Sequence, residues 1–201
     1  QRQMCIRDRY SASTNASTFD ALARDFMQRR WLPDLRFISH YPDFAPYIQA
    51  MAEHIRAYRE AHGSADKLIF SYHGVPKRFL LKGDPYFCEC HKTSRLLAEA
   101  LGLADDQWMT TFQSRFGREE WLQPYTDATL KALPGQGVKS VQVFCPGFSA
   151  DCLETVEEID EENRGYFEQA GGESFAYISA MNAEPVHLDA LTQLIENNLQ
   201  G

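Results

Sequence analysis

The apolar run LIFSY, 68–72, stops at His73 and Gly74. Imidazole takes up a proton near neutral pH and also binds transition metals. A histidine at a strand end is equally a structural or exposed residue, so its neighbours must decide. Further along, SADCLETVEEIDEEN carries Asp151, Glu154, Glu158 and Glu161 at helical spacing, which places four carboxylates on one stripe. Like charges so spaced destabilise a helix by about 0.2–0.5 kcal/mol per pair, and a passing cation would relieve them. A solvated face, or a capping box from Asp151 to Glu154, accounts for the same residues without a ligand. Trp121 and Phe148 suit either the wall of a flat aromatic ligand or a core. Other chemistries find little support. Cys88-x-Cys90-His91 has no second ligand pair at zinc spacing. Ser114 stands in no nucleophile elbow, and no glycine-rich dinucleotide or phosphate loop is present.

Strands and helices alternate around these residues. Apolar periodicity predicts helices over 18–30, from Phe44 to Tyr58, around Leu96–Leu101, over 121–133, from Asp151 to before Gly171, and over 185–199. Strands are expected at 35–39, 67–72, 108–113 and 140–145, with 174–179 extended. The stretch from His73 to Cys90 reads as a loop. The strands are apolar runs and not alternating ones, which points to a parallel sheet covered on both faces. Ligands of such sheets bind beyond the carboxyl ends of the strands. His73, QSRFG at 113–117 and CPGF at 145–148 all stand at such ends, so the topology gathers them on one rim.

Composition narrows the partners. With 201 residues, 44% hydrophobic and 24% charged, the chain can build a globular core. A net charge of −8 and no basic stripe argue against nucleic acid. No apolar stretch approaches membrane-spanning length, and the start shows no signal-peptide hydrophobic region. Five scattered cysteines suit reduced thiols, hence a cytoplasmic setting. The segment MCIRDR, within residues 1–9, is what ATGTGTATAAGAGACAG and one further base encode, and it resembles a transposon-end sequencing adapter. Residues 1–9 are therefore expected to be non-native, with the natural chain running in mid-gene from near Tyr10.

Four motifs together resemble the ferrochelatases of proteobacterial type: SYHGVP at 71–76, GDPY at 83–86, FQSRFG at 112–117 and CPGFSADCLETVEEI at 145–159. The resemblance runs in order from about Tyr10 to the end. It implies a chelatase-like α/β fold, a parallel sheet flanked by helices, in which two similar domains enclose a porphyrin cleft. It further implies insertion of Fe(II) into protoporphyrin IX with release of two protons, the terminal step of haem synthesis. His73 then matches the family's active-site histidine and Glu154 the glutamate facing it, both catalytic and both metal-handling. Asp151 and Glu158 match the acidic path beyond it. Trp121 matches an aromatic at the pocket wall, and Ser114 and Phe148 are assigned with it to porphyrin binding. Iron is the substrate; no cofactor is required and no iron–sulfur cluster is assigned, because the cysteines reproduce no C-terminal cluster motif.

The family's first domain has no counterpart here. Residues 10–34 are expected to be its remnant, 35–180 the second domain, and 181–201 a helix that packs on the first. The partners are then protoporphyrin, ferrous iron and the N-terminal half of the same protein. Peripheral membrane contact stays open, and the chain alone is expected to be inactive. Rival readings are a chelatase for another metal such as cobalt, a non-catalytic porphyrin- or metal-binding module, and a histidine-dependent hydrolase, for which no nucleophile is found.

Overall fold

A computed structural model describes residues 8–199. Helix α1 (Ser17–Phe26) is followed by an irregular stretch to residue 44, then α2 (Ala45–His62), β1 (Lys67–His73), α3 (Lys77–Leu81) and α4 (Tyr86–Leu101). Strand β2 (Trp108–Gln113), α5 (Thr126–Ala132) and β3 (Ser140–Phe144) follow. The chain closes with α6 (Leu153–Thr155), a π-helical segment Val156–Asn163, α7 (Arg164–Gln169), β4 (Ser174–Ile178) and α8 (Pro185–Leu199).

The four strands form one parallel sheet in the order β2-β1-β3-β4. The expected α/β class with a parallel sheet flanked by helices is therefore what the chain adopts. Its cause is visible in the burial: Leu68, Ile69, Phe70, Val141, Val143 and Phe144 are all at most 1% exposed, on both faces of the sheet. α2 packs on α4 and α8, while α5 packs on α7 and the π-helical segment. From β1 the chain steps one way to β2, then crosses back over β1 to β3. Right-handed crossovers in opposite directions leave on opposite faces, which opens a crevice at the carboxyl ends of β1 and β3. The register sharpens it. Phe70 pairs with Phe144, the last residue of β3, so Ser71, Tyr72 and His73 extend beyond that strand.

Several expectations are corrected. Residues 35–39 form no strand; Leu35 is 45% exposed and no sheet edge lies alongside to pair them. The 73–90 stretch is not one loop. It holds α3 and the start of α4, whose Tyr86 amide donates to the Asp84 carboxylate at 3.0 Å, an end-capping contact. The helix expected over 121–133 begins at Thr126, because Gln123 precedes Pro124 and that position disfavours helical backbone. Residues 1–7 lie outside the described residues. Asp8 and Arg9, set aside with them above, are buried: the Asp8 carbonyl accepts from the Tyr41 amide at 2.8 Å, and the Arg9 guanidinium lies 4.6 Å from the Tyr72 ring centre. The pairing of Asp8 with Arg9 leaves Asp8 Oδ1 and Arg9 Nε and Nη2 without partners among the described residues, so this buried ion pair is a weak source of stability.

Two helices carry uncovered apolar faces. No residue of α1 is buried, and Phe19, Met27, Trp31 and Leu32 around it are exposed. α8 turns His187, Ala190 and Leu194 inward, leaving Leu188, Ile195 and Leu199 at least half exposed. No helix of the described residues is long and apolar enough to cross a membrane.

Candidate active site

His73 is the last residue of β1, and its backbone is fixed on two sides. It pairs with Gln113 of β2, and its carbonyl accepts from the buried Tyr86 hydroxyl at 2.9 Å. The ring Nδ1 lies 2.6 Å from the Gly74 carbonyl oxygen. A carbonyl only accepts, so Nδ1 carries a proton, and in the neutral ring the lone pair falls on Nε2. Gly74 must be glycine at this point. A Cβ there would meet the Gln113 carbonyl oxygen at 2.9 Å and the Trp121 ring at 3.2 Å.

That contact explains how Trp121 reaches the rim. Residues 75–77 and 120–122 pair edge to edge: Leu122 donates its amide to Val75 at 3.0 Å, and Lys77 to Glu120 at 2.9 Å. Trp121, not on a helix as its periodicity suggested, is 6% exposed and packs against Phe116 with ring centres 4.8 Å apart. Its indole N–H has no partner among the described residues. Beside it lies a cavity of about 580 Å³, lined by His73, Gly74, Phe79, Phe116, Arg118 and Trp121 among others. Size and mixed apolar and basic lining suit a flat, partly charged organic ligand.

Of the three residues assigned to porphyrin binding, Trp121 alone lines that cavity. Phe148 is 2% exposed within the core, because the turn from Cys145 to Phe148 folds it back under the sheet. Ser114 points elsewhere. Its φ of 62° is uncommon for a residue with a side chain, and it delivers two donors to one carboxylate: the amide to Glu158 Oε1 at 2.6 Å and the hydroxyl to Oε2 at 2.5 Å. Burial pushes the Glu158 carboxyl up from its ordinary value, against the Ser114 donors and the nearby His73 ring.

The acidic helix is reshaped. From Val156 it widens into π-helical turns, a form found often at functional sites. Thr155, Ile159 and Asn163 are buried at spacings of four. Glu154, Glu158 and Glu162 run alongside them, and it is Glu162 that acts electrostatically on Glu158. The stripe expected to run from Asp151 to Glu161 is thus corrected at both ends. Glu161 is exposed. Asp151 precedes the helix, and its carboxylate is occupied: Tyr177 donates at 2.7 Å, the Ala180 amide at 3.1 Å and Asn182 Nδ2 at 2.8 Å. Burial opposes the Asp151 charge, but the donors of Asn182, Tyr177, Ala180 and Thr155 outweigh it and hold the carboxyl below its ordinary value of 3.8.

A carboxyl depressed on folding stabilises the native state above its unfolded value and loses that contribution as pH falls through the native value. Asp151→Asn, whose amide sets donors against donors, is expected to cost about 1–3 kcal/mol at neutral pH. The gap to the parent chain should narrow as pH drops below 3.8. Denaturant unfolding at neutral and acidic pH checks both; a gap that does not change with pH contradicts the assignment.

Gln113 was missed in the sequence. It is 3% exposed. Its Nε2 donates to the Glu154 carbonyl at 2.6 Å, and its Oε1 accepts from Ser71 at 2.7 Å. An amide ending an apolar strand, beside the histidine of the next strand, was the available signal. Among the described residues no three His, Cys, Asp or Glu side chains converge as metal ligands. Cys88, Cys90 and Cys145 form no disulfide, and burial pushes the Cys145 thiol well above its ordinary value.

Comparison with known proteins bears on this rim directly. The ferrochelatase family model matches residues 5–199. The chain belongs to the ferrochelatase family. It is 84% identical over 192 residues to the ferrochelatase of Alcanivorax borkumensis, covering 96% of this chain and 56% of the relative. Identity is 74% to the Marinobacter nauticus ferrochelatase and 53% to that of Nitrosococcus oceani, each with 96% of this chain and 52% of the relative covered. The chain thus spans about half the length of the curated ferrochelatases it matches.

Proposed function

We propose that the protein carrying this sequence is a metal chelatase that inserts Fe(II) into protoporphyrin IX to give protohaem. The observation that carries the reading is His73, its Nδ1 turned to the Gly74 carbonyl, lining a Trp121-walled cavity at the switch point of a ferrochelatase-family sheet. Porphyrin presents two pyrrole N–H protons at its centre, and the hydrated metal must shed water before it enters. His73 accepts a proton there. Glu154 binds the incoming metal weakly or relays a proton, and Glu158, held near His73, continues the path. Trp121 and Phe116 pack against the macrocycle. Asp151, saturated with donors, anchors the acidic segment to the β4–α8 connection and is removed from the path. Metal is substrate throughout, and no resident cofactor is called upon. A cytoplasmic setting fits Cys88, Cys90 and Cys145, which form no disulfide.

The uncovered faces of α1 and α8 fit a partner surface within the same protein, since the relatives are about twice as long. We read residues 35–180 as one chelatase domain, with 10–34 and 181–199 packing on a second. The test is anaerobic Fe(II) insertion, followed by haem absorbance, in the full-length protein and in residues 10–201 alone. Haem formation by the former and slow or absent turnover with dye-binding apolar surface in the latter is expected. Insertion of cobalt but not iron, or porphyrin binding without insertion by the full-length protein, would refute the assignment.

A further inference from the structure

We propose that Gln113 and Ser114 are positioning residues: two consecutive residues at the end of β2 that hold the acidic segment in place against His73. The inference rests on the reading above for the roles of His73 and Glu154, but its geometry is separate from theirs. Successive side chains on a strand point to opposite faces, so adjacent residues rarely serve one helix. Here they do, because Ser114 turns to a φ of 62° just past the strand. Gln113 grips the acidic segment by its backbone, through the Glu154 carbonyl at 2.6 Å. Ser114 grips it by a side chain one turn on, with both its donors on the two oxygens of Glu158.

The other end of the clamp is β1. The Gln113 carbonyl accepts from the Gly74 amide at 2.7 Å, Gln113 pairs with His73 in the sheet, and its side chain is braced by Ser71. One dipeptide thereby ties the histidine strand to the segment bearing both carboxylates. A two-point grip also suits the π-helical turns that begin at Val156, adding to the buried Ile159 and Asn163 and to the Asp151 anchor ahead of them. Neither residue lines the cavity with Trp121, so their effect falls on the metal and not on the macrocycle.

Ser114→Gly is the decisive variant. Glycine accepts a positive φ freely and keeps the amide contact, so a merely structural role would leave kcat and Zn(II) affinity unchanged whatever the variant did to stability. A positioning role predicts that kcat and Zn(II) affinity, read by calorimetry, each fall about 10–100-fold in the full-length protein, as for other outer-sphere partners of metal ligands. KM for porphyrin should stay within about twofold on the same grounds, and the melting temperature should be unchanged. Gln113→Met, nearly isosteric, should repeat the pattern with some loss of stability. Unchanged kcat and unchanged Zn(II) affinity in Ser114→Gly, or a parent protein that binds no Zn(II), would overturn the clamp. Weakened Zn(II) affinity in the variant of a parent that binds Zn(II) but inserts no metal would uphold the clamp and sink the proposed reaction.

Discussion

His73→Ala in the full-length protein is expected to lower metal insertion by about 10²–10⁴-fold, the usual contribution of a positioned general base, while the fold survives. The survival follows from how the residue is held. The fixing contacts are made by its backbone: the register with Gln113 and the Tyr86 hydroxyl on its carbonyl. Among the described residues the side chain itself makes one hydrogen bond, to the adjacent Gly74 carbonyl. Alanine removes the Nε2 lone pair and leaves β1 paired. The loss should appear with the porphyrin affinity little changed, because Trp121 and Phe116 remain to pack against the ring. Insertion rates and fluorescence titration of porphyrin, made at matched thermal stability, separate these effects. A variant that still forms haem near the parent rate would take His73 out of the chemistry.

The parts of this site that were readable in the sequence are those fixed by burial. LIFSY, WMTTFQ and SVQVFC are apolar because both faces of each strand are covered, so strand ends could be located within a residue or so, and with them the rim. The stretch LRFIS has the same local appearance but no neighbouring strand, and a pairing partner is not a local property. The resemblance assigned Trp121 to a pocket wall, and it lines the cavity with His73, but it was wrongly placed on a helix, since Pro124 and the pairing of 75–77 with 120–122 override its periodicity. The acidic segment shows the limit most plainly. A period of 3.6 was assumed where the chain adopts wider turns, so that Glu162, and not Glu161, acts on Glu158, and the period concealed that Asp151 stands outside the helix. Ser114 and Gln113 act through hydrogen bonds to residues some 40 positions away, and only the folded geometry shows that.

Glu154→Gln is expected to cut turnover by about 10²-fold or more, on the scale of a lost acid–base group, whereas Glu157→Gln should change it by no more than about twofold, as surface substitutions within about 0.5 kcal/mol do. The two glutamates are three residues apart on the same acidic segment, so net charge and bulk field change equally in both variants. What differs is placement. The Glu154 backbone is held by Gln113, the pairing partner of His73, its side chain is half-buried, and it lies one turn before the Glu158 that feels the His73 ring. Glu157 is exposed. Glutamine preserves volume and one acceptor oxygen while removing the charge that attracts a divalent metal and the ability to take a proton. A large effect at 154 alone therefore assigns the chemistry to a placed carboxylate. Equal, small effects at both positions would reduce the acidic segment to a solvated face. Equal, large effects would instead point to a long-range field, and that alternative makes a further demand: both rates should then recover or fall together with ionic strength, because a field acting through solvent is screened over about 10 Å at 0.1 M salt, while a carboxylate in contact with the metal is not.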